Sequence, residues 1–164
     1  MSKPISIFAN NHPFSLTILI LTITIVGGVV GSIATPSTRD DVRLTLSGHI
    51  IRDGKQVSLD ESIIAKQGET IHYNMHASNT GEAINNFRAI GQIPAGTVIV
   101  PESAPKAEFS LDGKTFSPKP QIEVTENGQK QKVDAPVESY RAVALQVANG
   151  FQGEKDLSYE VRVK

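Results

Sequence analysis

Cysteine is absent from the 164-residue sequence, and so is tryptophan. Without a thiol the chain has no disulfide, no thiolate zinc site, no cysteine nucleophile and no lipidated cysteine, because each of these needs a sulfur. The lack of cysteine leaves the cellular compartment open, since a protein without thiols is stable in either redox setting.

Aromatic residues are few, and neither sign of charge is in excess. Six Phe and three Tyr make up the aromatic content, which is too little for a platform that stacks nucleic-acid bases. The formal net charge is −1, so the chain has no basic field that would attract nucleic acid. We therefore expect no nucleic-acid partner. A hydrophobic fraction of 39% and a charged fraction of 20% are typical of a globular protein.

One long apolar run is present, from Phe14 to Ala34. Its 21 residues carry no charge, and as a helix at about 1.5 Å per residue they would extend roughly 31 Å, enough to cross a bilayer core. Two interpretations remain open. The run is either an uncleaved membrane anchor or a signal peptide cleaved after Ser32-Ile33-Ala34, whose small residues suit the peptidase. We favour the anchor because the run is longer than most signal-peptide cores.

The charges around this run do not fix its orientation. Lys3 precedes it, whereas Arg39, Arg43 and Arg52 follow it, and the positive-inside rule alone would retain the following domain in the cytoplasm. Long domains, however, translocate largely regardless of flanking charge. We therefore expect a single-pass protein of the cell membrane whose C-terminal domain is periplasmic or at the cell surface. Cleavage near Ala34 would instead give a secreted or periplasmic protein.

Beyond the apolar run the sequence predicts strands rather than helices. Apolar and polar residues alternate with the two-residue period of half-buried strands, as in Val42/Leu44/Leu46, Ile71/Tyr73/Met75/Ala77, Val143/Leu145/Val147 and Leu157/Tyr159/Val161/Val163. Pairs typical of tight hairpins separate such stretches: Asp53-Gly54, Asp112-Gly113 and Asn127-Gly128. We also expect a turn at Asn79–Glu82 and a polar loop over residues 131–139.

These patterns predict an all-β fold, an immunoglobulin-like antiparallel β-sandwich preceded by one N-terminal hydrophobic helix. The predicted organisation is a short N-terminal region over residues 1–13, the transmembrane helix or signal peptide over 14–34, a linker over 35–41 and the sandwich domain over 42–164.

Two histidines, His72 and His76, have the spacing at which a helix holds a metal ion. The alternation around them instead predicts a strand, on which they would lie roughly 13 Å apart at about 3.3 Å per residue. That separation is too large for one metal ion. We therefore expect two solvent-facing imidazoles and no metal site, with His49 able to approach them only through tertiary contact.

No other stretch indicates catalysis. The glycines of the apolar run do not follow a strand as a phosphate loop requires, and no nucleophile elbow occurs. Ser110 and Ser117 flank a predicted hairpin without a neighbouring histidine or acid that would activate them. The acid pairs Asp40-Asp41 and Asp60-Glu61 lack the further oxygen ligands of a calcium loop, and the polar segment Asn127 to Lys132 predicts a solvated loop tip. We expect neither an enzyme nor a cofactor.

Ordered motifs follow one another from residue 68 to residue 104. They are Gly68-Glu69, Tyr73, Asn79-Thr80-Gly81, Pro94-Ala95-Gly96 and Ser103-Ala104. In order and spacing they resemble the bacterial conserved-repeat domain of unknown function, number eleven of its series, over roughly residues 42 to 163. The chain departs from that family at Gly91-Gln92, where an aspartate is usual, and at Phe151–Lys155, where a proline-glycine turn is usual. The resemblance implies an immunoglobulin-like sandwich on bacterial envelope or surface proteins and implies no catalytic activity.

The leading hypothesis is a non-enzymatic, membrane-tethered, extracytoplasmic β-sandwich with a structural or protein-interaction role in the bacterial cell envelope. Its partners would be other envelope or membrane proteins, bound through loop tips or through an edge strand such as Leu157 to Lys164. One alternative is a small accessory subunit of a membrane complex that docks through its transmembrane helix, with Gly27 and Gly31 facing a partner helix. The same glycines would also suit the loosened end of a signal peptide. A second alternative is a secreted surface or adhesion module after signal cleavage.

Overall fold

A computed structural model describes residues 22–25, 41–59 and 64–164 of the chain. Within these ranges the chain forms antiparallel strands and two short 3-10 helices, Pro101–Ser103 and Val137–Ser139. The strands are β1 Thr22–Ile25, β2 Val42–Arg52, β3 Lys55–Ser58, β4 Thr70–Ile84, β5 Phe87–Gln92, β6 Thr97–Val100, β7 Glu108–Ser110, β8 Gln121–Glu126, β9 Gln129–Asp134, β10 Ala142–Gln146 and β11 Phe151–Val163.

The strands are arranged in two larger sheets and one hairpin. The five-stranded sheet has the order β3-β2-β4-β11-β6, the four-stranded sheet has the order β1-β5-β10-β7, and β8 pairs with β9 alone. One cluster of buried apolar side chains includes residues of both larger sheets. The predicted all-β character is therefore confirmed, and the arrangement agrees with a sandwich.

The alternation in the sequence identifies the inward faces of the central strands. Tyr73 and Met75 of β4 are buried, as are Tyr159 and Val161 of β11. The rings of Tyr73 and Tyr159 stack across the two paired strands, with centroids 5.1 Å apart. On β10 even Ala144, which lies between the predicted inward residues, is buried, so this strand is covered on both faces.

Two predicted hairpin turns are confirmed. Asp53-Gly54 joins β2 to β3 and Asn127-Gly128 joins β8 to β9. All four residues have positive φ, from 50° to 77°, the left-handed conformation required by the type I′ turn that fits a two-residue hairpin. At Asp112-Gly113 the chain closes a wider loop, in which Phe109 and Ser117 exchange backbone hydrogen bonds of 2.8 and 3.0 Å. The tight hairpin expected at Asp112-Gly113 therefore does not form, and residues 114–116 are not a strand.

The turn expected at Asn79–Glu82 is wrong, because β4 continues through these residues to Ile84. The Asn79 side chain is buried and donates hydrogen bonds to the carbonyl oxygens of Glu82 and Phe151, both at 2.8 Å. Asparagine and glycine are typical of turns, but here the asparagine supports a local irregularity opposite β11, whose register shifts between Phe151 and Gly153.

The polar loop expected over residues 131–139 is only partly correct. Residues 129–134 form β9, which pairs with β8 along its whole length. β8 has a short alternation at the half-buried Ile122 and Val124, whereas β9 is exposed except for the half-buried Val133, so no apolar alternation marks β9 in the sequence. Opposite charges face each other instead, as at Glu123 and Lys132, and such cross-strand pairs favour the pairing.

The helix predicted over Phe14–Ala34 does not hold at the four of its residues that the structure describes. Thr22–Ile25 is a strand that pairs antiparallel with β5. Threonine and isoleucine are β-branched and favour strands over helices. The other residues of the run lie outside the described ranges, as do residues 1–13 and most of the linker. In the part of the chain that is described, no helix has the length and apolar character needed to cross a bilayer.

The segment Leu157 to Lys164 is not the edge strand that we expected. Its residues belong mostly to β11, which lies between β4 and β6, and residues 160–162 are paired on both sides. The edges of this sheet are β3 and β6. The sequence marks β6 only as a short apolar run between Pro94 and Pro101.

Candidate functional site

The outer face of the five-stranded sheet carries a set of polar side chains in register. Residues that lie opposite each other in antiparallel strands project from the same face. Three cross-strand rows result from the pairing of β2, β4 and β11. We call them together the polar face, which comprises His49–His72–Glu160, Ser47–Asn74–Ser158 and Thr45–His76–Asp156.

In the first row the two histidines contact each other and one contacts a carboxylate. The imidazole rings of His49 and His72 are stacked, with centroids 5.0 Å apart and an angle of 14° between the ring planes. Nδ1 of His72 lies 2.9 Å from Oε1 of Glu160. The backbone N–H of Glu160 donates to Oγ of Ser103 at 2.8 Å, which ties the row to the 3-10 helix after β6.

In the third row Nδ1 of His76 lies 2.8 Å from Oδ1 of Asp156. The side-chain amide of Asn74 donates to the same oxygen at 3.4 Å, so the second and third rows are connected. The hydrogen bond from His76, followed by that from Asn74, lowers the pKa of Asp156 below its ordinary value. The carboxylate is thus held in its charged form by its neighbours on the sheet.

In the structure His72 and His76 do not contact each other, and a third histidine, His49, lies beside His72. His72 and His76 contact different carboxylates in different rows, which agrees with the predicted solvent-facing positions on a strand. His49 becomes the neighbour of His72 because β2 pairs with β4. Over the described ranges, no three histidine or acidic side chains are grouped so that they could hold a metal ion.

The polar face borders a shallow cleft of about 380 Å³. Side chains of the first and second rows and of their surroundings line it, among them Ser47, His49, Asn74, Ser103 and Glu160. The cleft offers hydroxyl, amide, imidazole and carboxylate groups, which can both donate and accept hydrogen bonds. Chemically, this arrangement suits recognition of a polar surface.

No family model, curated protein or solved structure matches the chain. The face must therefore be interpreted from its own geometry, and the family resemblance rests on the motifs quoted above.

The two serines considered as nucleophiles have structural partners. Ser110 is buried, its hydroxyl donates to Oδ1 of Asp112 at 2.9 Å, and the N–H of Gly113 donates to Oγ of Ser110 at 2.8 Å. The oxygens of Asp112 also accept backbone N–H groups of the loop, which lowers the pKa of Asp112 to about 2. Sequence reasoning missed this Ser110–Asp112 contact, although the two residues are close in the chain. Ser117 accepts a hydrogen bond from the N–H of Lys119.

The remaining candidates of the sequence analysis contribute no further site. Asp41 lies beside the strand residues Thr80 and Gly81, and its carbonyl oxygen accepts the N–H of Thr80 at 2.9 Å. Asp40, the pair Asp60-Glu61 and the glycines Gly27 and Gly31 lie outside the described ranges. The segment Asn127 to Lys132 is the exposed end of the β8–β9 hairpin.

The motifs that carry the family resemblance occupy structural positions. Gly68 and Gly96 have φ of 83° and 82°, which glycine adopts most easily. Tyr73 and Ala104 belong to the core, and Ser103 hydrogen-bonds to β11. These residues lie at strand connections or in the core.

Glu69 is the charged member of these motifs, and it ties the loop before β4 to the end of β2. Its two carboxylate oxygens accept hydrogen bonds from Nε and Nη2 of Arg52 at 2.7 and 2.8 Å. The N–H of Lys66 donates to Glu69 at 2.6 Å, and Arg52 also donates to the carbonyl oxygen of Ile64 at 2.7 Å. The guanidinium, and then the Lys66 N–H, lower the pKa of Glu69 to about 2.

We expect Glu69→Gln to reduce the acid sensitivity of the fold. The pKa of Glu69 is lowered to about 2 in the folded chain, against about 4.3 in an unfolded chain. Its stabilising contribution is therefore complete above about pH 4.3 and is lost as the pH falls through about 2. Urea unfolding at a series of pH values should show a lower free energy of unfolding for the variant near neutrality and a shallower decline in acid.

Backbone hydrogen bonds from Thr115 and Lys114 lower the pKa of Asp112 independently of Glu69. The free energy of unfolding of the Glu69→Gln variant should therefore still decline somewhat in acid. Glu154→Gln, at an exposed residue of β11, is the matched control and should reproduce the wild-type profile. A Glu69→Gln profile parallel to that of the wild type would show that the Arg52 contact contributes nothing.

Proposed function

We propose that this chain is a non-enzymatic interaction module of the bacterial cell envelope, tethered to the membrane by Phe14–Ala34 and folded outside the cytoplasm. Its binding surface is the polar face. Its partner is another envelope or membrane protein whose contacting surface is polar.

The observation that carries this proposal is the ordered state of the polar face. Its side chains are short or contact neighbouring side chains. His72 stacks on His49 and contacts Glu160, and His76 contacts Asp156. Binding to side chains that are already fixed costs less conformational entropy than binding to mobile ones. A sheet face also presents its groups in one plane, which suits contact with a second protein surface better than enclosure of a small molecule.

Three features of the chain support an envelope location and an immunoglobulin-like sandwich. The uncharged run Phe14–Ala34 is long enough to cross a bilayer, and the ordered motifs resemble a domain of envelope and surface proteins. The chain passes between the sheets from β4 to β5 and from β10 to β11, as Greek-key connections do in immunoglobulin-like sandwiches.

The experiment that tests this function is photo-crosslinking in intact bacterial cells. A photo-reactive amino acid replaces Asn74, the centre of the middle row, in the full chain. A matched probe replaces Gln129, at the exposed end of the β8–β9 hairpin. We expect a discrete crosslinked species in the membrane fraction from Asn74 and none from Gln129.

The combined variant His72→Ala and His76→Ala provides the second arm. Both residues are partly exposed and their partners lie at the surface, so the variant should fold with a nearly unchanged melting temperature. It should nevertheless lose the Asn74 crosslink, because two rows of the face are altered. Equal crosslinking from Asn74 and Gln129, or a crosslink that survives in the variant, would contradict the polar face as the binding surface.

A further inference from the structure

The edge of β5 that faces away from β10 is covered by four residues of the apolar run. β1 pairs antiparallel with β5, and its register sets Thr22 opposite Ile90 and Ile25 opposite Phe87. On the other side, β5 pairs with β10 along most of its length. Thr22–Ile25 is therefore the outermost strand of the four-stranded sheet in the described chain.

Thr22–Ile25 cannot pair with β5 and form part of a membrane-spanning helix at the same time. A backbone amide in a helix bonds to the carbonyl four residues earlier, so the amides of Thr22–Ile25 cannot serve a helix and β5 at the same time. Removal of the run by cleavage would vacate the same edge. In both cases the β5 backbone from Phe87 to Ile90 would lose its partner, and an unpaired strand edge readily accepts another strand.

The β5 edge lacks the features with which sheets usually block strand addition. Such features are edge proline, inward-facing charge and very short edge strands. Arg88 is the charged residue of β5, but its guanidinium pairs with the carboxylate of Glu108 on β7 and lies over the ring of Phe116, 5.2 Å from the centroid. Its charge is thus neutralised across the sheet, away from the edge.

The other edge strands of the two sheets are β3, β6 and β7, and they are better protected. β3 has four residues and begins with Lys55, and a lysine on an edge hinders strand addition. β6 has four residues and is bounded by Pro94 and Pro101. β7 has three residues, and Phe109 at its centre already bonds to Ser117. Strand addition is therefore most favourable at β5.

We propose that the β5 edge is a docking site for an extended segment of a partner protein, which replaces Thr22–Ile25 once Phe14–Ala34 is in the membrane. This inference rests on the proposed tether. The partner segment pairs antiparallel with Phe87–Ile90 through main-chain hydrogen bonds, and it alternates polar with β-branched apolar residues as Thr-Ile-Thr-Ile does. Before membrane insertion, β1 protects this edge.

The absence of native cysteine permits a direct test with the full chain. Thr22→Cys with Ile90→Cys places two thiols on opposite residues of paired strands, a separation that a disulfide can bridge. Synthesis without lipid should give the intramolecular disulfide under mild oxidation. Synthesis into vesicles of phosphatidylethanolamine and phosphatidylglycerol should give little of it. Flotation of the vesicles reports separately whether the chain has inserted.

The second arm measures capture of a strand at the vacated edge. The probe is a Thr-Ile-Thr-Ile peptide flanked by lysines, with cysteine in place of its first threonine. On vesicle-inserted chains, Ile90→Cys should capture about tenfold more peptide than Ile51→Cys, because register pairing holds the two thiols together. Ile51 is 51% exposed and lies on β2, so random collision would favour the control.

Each outcome decides a separate point. Chains that do not float with the vesicles contradict the tether, and the docking site with it. Floating chains with equal capture at Ile90→Cys and Ile51→Cys contradict the docking site alone. A disulfide-linked dimer of the double-cysteine variant in vesicles would identify the occupant as a second copy of this chain and overturn the proposal of a different partner.

Discussion

Gly91→Ala should lower the free energy of unfolding by about 3 kcal/mol, the upper part of the usual range for overpacking a core. A Cβ atom at this residue of β5 would lie 2.8 Å from both Cε1 and Oη of Tyr159 and 2.9 Å from its Cζ. These distances are shorter than any ordinary contact, so either the ring or the strand must move.

Tyr159 cannot move away at low cost. Its side chain is fully buried and stacks on Tyr73. Its hydroxyl donates to the carbonyl oxygen of Gln92 at 3.0 Å, next to Gly91 itself. Burial, and then the proximity of Tyr73, raise the pKa of Tyr159 well above its ordinary value, so the hydroxyl remains a donor at any physiological pH. A shift of the ring would break this bond and the stack together.

Urea unfolding of the full chain is the measurement for Gly91→Ala. Gly48→Ala is the matched control, because a Cβ there would lie 3.2 Å from Leu59 and Tyr73, a tight but tolerable distance, and a smaller loss is expected. In a Tyr159→Leu background, Gly91→Ala should cost much less, since the ring that it contacts is gone. An equal cost in both backgrounds would show that the contact with Tyr159 is not the cause.

Asn79→Leu should also cost about 3 kcal/mol, because it leaves the buried carbonyl oxygen of Phe151 and two part-buried backbone groups without partners. The Asn79 amide donates at 2.8 Å to each of two carbonyl oxygens, those of Glu82 and Phe151, and its Oδ1 accepts the N–H of Gly81 at 3.0 Å. The residue is 1% exposed and its bond to Phe151 is buried, so water cannot replace that bond, whereas the bonds to Glu82 and Gly81 are part-buried. Leucine has a similar volume, and the loss therefore reports the hydrogen bonds rather than a cavity.

Thermal and urea unfolding of the Asn79→Leu variant measure this loss. Asn74→Leu, on the outer face of the same strand, is the control and should change the free energy of unfolding by about 0.5 kcal/mol or less. Similar losses in the two variants would contradict the account of Asn79, since Asn74 makes only a long surface hydrogen bond, at 3.4 Å.

Asn79 also shows that local sequence does not reveal contacts with distant parts of the chain. Asparagine, threonine and glycine in succession favour a turn by local chemistry, but the partner that keeps β4 extended is Phe151, 72 residues away. By contrast, the inward residues of β4 and β11 were predicted correctly, because alternation is a local signal that burial enforces along the whole strand. In the β8–β9 hairpin the Asn127-Gly128 turn was predicted but β9 was not, since β9 is almost entirely exposed and has no such alternation.

The polar face, likewise, could be predicted from the sequence only in part. That His72 and His76 lie on the outer side of a strand follows from the alternation around them. Their contacts do not, because His76 and Asp156 are 80 residues apart and meet only through the register of β4 and β11. The stack of His49 on His72 depends likewise on the register of β2 and β4.

The apolar run is a case in which two physical preferences compete. Its length and lack of charge favour a helix in a bilayer, whereas the alternating β-branched residues Thr22–Ile25 favour the strand that pairs with β5. In a bilayer the helix is favoured, because a helix satisfies the hydrogen-bonding groups of its own backbone there and an isolated strand does not.

The measurement that tests the tether most directly is the intact mass of the native protein from separated membrane and soluble fractions. We predict a full-length mass, including Phe14–Ala34, in the membrane fraction. Such a result would direct the search for partners to that fraction, by crosslinking from the polar face. A mass that begins near Thr35, in the soluble extracytoplasmic fraction, would contradict the tether and make the run a signal peptide.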